Sequence, residues 1–149
     1  MTPEAFAARW VQRLSDGAWA RFEHGAPDPA AFIHSAVADG FVGSLGLKPI
    51  GYNWELLDPS GDASAPRSAM GELTLAMSGD LANPNRPWLP EEDARRCAGD
   101  FLALFDSTTR TIVSNRYDGL WNPIAGHAVE WGFVGWDQNR IALLLLAAQ

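Results

Sequence analysis

The chain has one cysteine, Cys97, which excludes an intramolecular disulfide and is compatible with a reducing compartment. Basic residues are scarce as well: eleven Lys and Arg stand against eighteen Asp and Glu, for a formal charge of −7. That balance disfavours sequence-independent attachment to phosphate backbones or anionic lipid, so neither direct nucleic-acid binding nor membrane binding is expected. Long apolar runs are missing. The longest, Ile141 to Ala148, falls far short of the about 20 residues that a membrane-spanning helix needs. Near the start, Glu4, Arg9, Arg13 and Asp16 interrupt any signal-peptide core, and the expected location is the cytoplasm. GxGxxG, P-loop, GxSxG and CxxC patterns do not occur, so common nucleotide, acyl-transfer and redox sites lack sequence support and no cofactor is expected.

What the chain does have is apolar mass. Its 149 residues are 47% apolar and 19% charged, with seven tryptophans. A chain of this length and composition buries about 68–70% of its unfolded surface, and a single globular domain over 1–149 is expected.

Helix signals come first. Thr2-Pro3-Glu4 supplies a hydroxyl cap, a proline where no amide hydrogen is needed and an acid at the positive helix end, and Phe6, Trp10, Val11 and Leu14 follow at helical spacing up to Asp16-Gly17. Asp28-Pro29 repeats the start before Phe32, Ile33, Ala36 and Val37, with Gly40 as a stop. A third helix follows Pro90-Glu91-Glu92-Asp93, where Ala94, Cys97, Ala98, Phe101, Leu102 and Phe105 form one apolar stripe. On that stripe Cys97 reads as a small buried apolar residue rather than a nucleophile.

Strand signals occupy the rest. Ile50, Tyr52, Trp54 and Leu56 alternate with Gly51, Asn53 and Glu55, and after a loop at 58–68 Leu73, Leu75 and Met77 alternate with Glu72 and Thr74, predicting an antiparallel pair. The segment 80–90, rich in proline and asparagine, is expected to cross the surface. Thr109 to Asn115 predicts a further strand, and 116–126 a compact turn-rich loop holding Tyr117 and Trp121. From His127 the period is two again. A tight turn with Gln138-Asn139 at its tip sets a C-terminal hairpin register in which Trp136 opposes Ile141, Val134 opposes Leu143 and Phe133 opposes Leu144. The expected fold class is therefore α+β: a mostly antiparallel sheet of about five strands, about three helices largely on one side, and a C-terminal β-hairpin.

Both faces of that hairpin are apolar, and if the helices gather on one face, the face carrying Val134, Trp136, Ile141, Leu143 and Leu145 stays open unless loops 58–68 and 80–90 cover it. The histidines, His24, His34 and His127, are irregularly spaced, and His127 and Glu130 point to opposite faces of a strand, so no metal site is expected. Glu55, Glu72 and Glu130 fall on the less apolar faces of their predicted strands, where a pair of them could share acid and base roles or meet the basic groups of a partner. The composition resembles that of small bacterial immunity and inhibitor proteins, though no motif transfers residues. The leading expectation is thus a tryptophan-rich protein-binding module that blocks a partner enzyme or nucleic-acid-binding protein through Trp136, Glu130, Tyr117, Trp121, Glu55 and Glu72. The alternatives are a small enzyme or ligand binder with a pocket near Trp121, His127 and Glu130, and a homodimer packed through the hairpin face.

Overall fold

The computed structural model describes residues 1–57, 68–83 and 85–148. Helix α1 covers residues 3–17, with a wider π turn at Ala7–Val11 between α-helical Pro3–Phe6 and Gln12–Gly17. The Thr2 hydroxyl accepts from the Ala5 amide at 3.1 Å, and Phe6, Trp10 and Leu14 are buried along one stripe. At its end Gly17 makes room for an indole: a Cβ there would lie 1.9 Å from Trp88 Nε1.

The strand that follows, β1 at Trp19–Gly25, has no counterpart in the sequence reading. Helix α2 occupies His34–Ser44, later than the Asp28-Pro29 signal predicts. Asp28 spends its side chain on a local turn, accepting from the Ala30 amide at 2.9 Å, which leaves Phe32 89% exposed before the helix. Gly40 does not stop the helix, because Val37, Ala38 and Val42 on either side of it share one buried face. Asp39 ties the helix to the 3-10 turn Gly51–Asn53: its carboxylate accepts from the Ile50 and Gly51 amides and from Trp54 Nε1, each at 2.8 Å.

The predicted strand pair at 50–56 and 72–77 is corrected by the structure. Only Glu55–Leu56 forms a strand, β2, and Tyr52 is exposed. The second member is helix α3, Ala69–Ser78, capped by the Ser68 hydroxyl, which accepts from the Gly71 amide at 2.9 Å. Ala69, Leu73, Ala76 and Met77 are its buried stripe, and Leu75 faces out at 60% exposure. The loop expected at 58–68 lies outside the described residues except for Ser68. After α3 the chain turns back on the end of the helix, where the Trp88 and Leu89 amides donate to the Ser78 and Met77 carbonyls at 3.1 and 3.0 Å. Helix α4, Glu91–Leu102, buries Ala94, Cys97, Ala98, Phe101 and Leu102, the stripe its sequence predicts.

The remaining strands are β3 (Thr111–Ser114), β4 (Arg116–Tyr117), β5 (Leu120–Trp121), β6 (Glu130–Trp136) and β7 (Ile141–Ala147). The main sheet has the order β1-β7-β6-β3-β2 with every pair antiparallel, while β4 and β5 form a separate two-stranded ribbon. The α+β class, the five-stranded antiparallel sheet and the C-terminal hairpin are those the sequence predicts. Trp136 opposes Ile141, Val134 opposes Leu143 and Phe133 opposes Leu144, the register set by the Gln138-Asn139 turn.

Each face of this sheet carries its own core. Helices α1, α3 and α4 cover one side, where Trp131, Phe133, Ala142, Leu144 and Leu146 meet them. The other side holds Val134, Ile141, Leu143 and Leu145, and α2 covers it together with Trp54, Ile124 and the chain from Leu45 to Ile50. The hairpin face that would stay open if the helices gathered on one side is therefore a second core, roofed by a helix. β7 is buried at all seven positions for this reason. Among the described residues, no helix is long and apolar enough to cross a membrane.

Candidate functional site

The ribbon β4–β5 turns on Asp118-Gly119, both at positive φ (52° and 79°), the backbone that a two-residue hairpin turn of matching twist requires. Pairing across it sets Arg116 opposite Trp121 and Tyr117 opposite Leu120. Direct cross-strand neighbours share a face, so the Arg116 guanidinium lies 4.6 Å from the Trp121 ring centre. It also lies 4.9 Å from the ring centre of Trp131 on β6, and the two indoles meet edge to face at 5.4 Å. Such cation–π contacts are worth about 0.5–1 kcal/mol when exposed and about 2 when desolvated. The arginine is thereby held in one orientation.

A buried network roots this ribbon. Asn115, at the junction of β3 and β4, is fully buried and spends its side chain on backbone: its amide donates to the Asn122 and Glu130 carbonyls, both at 3.1 Å, and its oxygen accepts from the Gly132 amide at 2.8 Å. Asn122 returns the contact, its side-chain amide donating to the Asn115 carbonyl at 3.2 Å. The ribbon's position on the sheet, and with it that of Arg116, follows from these bonds.

Arg116, Trp121 and Trp131 form one wall of a pocket of about 450 Å³, and the opposite wall is the end of α3 and the turn after it, with Leu75, Asp80 and Leu81. Among the described residues no carboxylate lies within ion-pair distance of Arg116, and Nε of Arg116 and Nε1 of Trp131 are buried without a hydrogen-bond partner. Asp80 lines the same pocket without pairing to it, accepting instead from the Ala82 amide at 2.8 Å. Leu75 and Ser78 also line a neighbouring hollow of about 680 Å³ that reaches Glu91 and Arg95 on α4. The two hollows share Leu75 and Ser78 in their walls.

The residues predicted to form a site are scattered by the fold. Glu130 is 0% exposed, and one oxygen of its carboxylate accepts from the Ile124 amide and, at 2.7 Å, from the Ala125 amide. This is a correction: the acid anchors the 122–126 turn and presents nothing to a partner. Trp136 is half-buried and packs into the α2-side core. Glu55, half-buried, stands opposite Ser114 on the other side of the sheet from Glu130, and Glu72 is on α3, so the three carboxylates are not assembled into an acid–base group. Tyr117 is 42% exposed on the outward face of the ribbon.

The predicted pocket of Trp121, His127 and Glu130 is also corrected. His127 packs against Trp19 with ring centres 4.6 Å apart and the planes tilted by 44°, on the α2 side, whereas Trp121 packs on the opposite side. Cys97 is buried, and burial pushes its thiol well above the ordinary range, with the Asp100 charge adding to the shift and Arg13 opposing it. Among the described residues, no group of three His, Cys, Asp or Glu side chains is placed to hold a metal ion.

Sequence reasoning missed Arg116 and Asn115, although the signal was available: an Asp-Gly turn counted outward pairs Tyr117 with Leu120 and Arg116 with Trp121. In comparisons with protein-family models, curated proteins and solved structures, the chain matches none.

Proposed function

We propose that this chain is a protein-binding module that seats a carboxylate of its partner on Arg116 and lays the adjoining apolar residues against Leu75. The observation that carries this reading is a guanidinium that packs on two indoles and has no ion-pair partner among the described residues. Such an arginine has lost most of its conformational freedom before binding, so an incoming carboxylate forms charge-assisted hydrogen bonds at a lower entropic cost. A neighbouring hollow that shares Leu75 and Ser78 adds surface beyond the Arg116 pocket, and Leu75, 60% exposed, offers apolar area between the two.

The net charge of −7 favours approach by a partner that is basic overall, and Arg116 then selects one acidic anchor within it. An inhibitor or immunity role against an enzyme or nucleic-acid-binding protein, in the cytoplasm, is the form of this module that the acidic composition and lone buried thiol support. A second reading, a small carboxylate ligand, draws on the pocket at Arg116 alone, whose volume falls in the range of small-molecule sites.

The test is a fluorescence-polarisation screen of labelled peptides bearing Asp or Glu beside aliphatic residues, against wild type, Arg116→Ala and Arg116→Lys. Wild type is expected to prefer the acidic peptides over their Asn or Gln counterparts by about tenfold or more, and Arg116→Ala to lose that preference. Equal selection by wild type and Arg116→Ala would sink the proposal. Binding of free short carboxylates as tightly as of peptides would move the assignment to the second reading.

A further inference from the structure

The strand β1 ends the main sheet: it pairs with β7 on one side, and among the described residues no strand pairs with its other side. Its register with β7 is continuous over seven residues, without a bulge, and it contains no proline. Exposed edges of this kind are usually shortened, bulged or interrupted by proline, because a row of free amide and carbonyl groups recruits another strand. β1 has instead one pair of opposite charges, Arg21 and Glu23, two residues apart on the α2 face and joined by an ion pair at 3.1 Å.

We infer that β1 is the interface of a homodimer, in which it pairs antiparallel with β1 of a second copy about a two-fold axis perpendicular to the sheet, centred on Phe22. In that register Arg21 stands opposite the partner's Glu23 and Glu23 opposite the partner's Arg21. Phe22 meets its own copy on the other face, Ala20 faces the partner's His24, and all seven residues are paired. Two-fold symmetry with faces preserved permits only registers that slip by two residues. One such slip sets Arg21 against Arg21 and the other sets Glu23 against Glu23, and like charges directly opposite are destabilising. The spacing of the two charges therefore selects a single register, which is what a built interface needs and a merely blunted edge does not. The product is a continuous antiparallel sheet of twice five strands.

The test is sedimentation equilibrium on the full chain over a wide concentration range, with Arg21→Glu, Glu23→Arg and the double swap. Wild type is expected to reach twice its 16.2 kDa mass, each single swap to raise the dimer dissociation constant by about tenfold or more, and the double swap to restore it. A register-specific check uses Ala20→Cys with His24→Cys in one chain, since Cys97 is buried: oxidation should join two copies, and circular dichroism reports whether the variant is folded. A chain that stays monomeric at the highest concentration, or a dimer indifferent to both single swaps, overturns the inference. The outcome is independent of the Arg116 pocket.

Discussion

The Glu130 carboxylate accepts the Ala125 amide at 2.7 Å from inside the core, five residues along the chain, and so fixes the turn that precedes its own strand. Replacing it with alanine removes two charge-assisted bonds and leaves two amides unsatisfied. Glu130→Ala is expected to cost about 3 kcal/mol or more in urea unfolding, whereas Glu130→Gln, which keeps an acceptor, costs about 1. An alanine variant within about 0.5 kcal/mol of wild type would instead be the behaviour of a surface acid.

Arg116 should matter more for recognition than for folding. Its two ring contacts predict a loss of about 1–2 kcal/mol for Arg116→Ala. The variant's far-ultraviolet circular dichroism should match wild type, and tryptophan emission should shift as Trp121 and Trp131 lose their charged neighbour. Unfolding of the variant at room temperature would assign the arginine to the scaffold.

Gly17 and Trp88 form a tight contact with no room for a methyl group. Gly17→Ala is expected to lower stability by about 1–3 kcal/mol through overpacking. Combined with Trp88→Leu, the penalty of the glycine substitution should largely vanish, and a double-mutant cycle that came out additive would show that the two do not touch.

Cys97 should resist thiol reagents in the native state, since it is buried and its thiolate is disfavoured. Its modification rate by a disulfide reagent should follow the population of unfolded chain as urea is added. Rapid modification without denaturant would contradict the packing of α4.

Legibility from sequence varied with how many competing patterns a segment allowed. The β6–β7 hairpin was readable because a tight turn and two apolar faces leave one register, and α4 was readable because proline, three acids and a helical stripe agree. α3 was not: Leu73, Leu75 and Met77 alternate as a strand would, while Ala69, Leu73, Ala76 and Met77 repeat as a helix does, and only the exposure of Leu75 separates the two. β1 carries a charged or polar residue on each face, Arg21 and Glu23 on one and His24 on the other, so no period marks it. Glu130 reads from sequence as a surface acid, because polarity predicts exposure wherever no backbone amides are known to satisfy the side chain. The Arg116 pocket depends on Trp131 and on α3, which sequence proximity does not connect.

The unequal roofing of the sheet has a consequence for how the molecule opens. Three helices secure one face, whereas the other rests on α2 and on the hydrogen bonds that Asp39 makes to the turn beyond it. Native-state hydrogen exchange should therefore resolve two cooperative units, with α2 amides exchanging through a cheaper partial opening than those of β7. Asp39→Ala should speed the first without the second. Helix and strand would then report two different free energies, and the molecule would behave as a stable half carrying a detachable one.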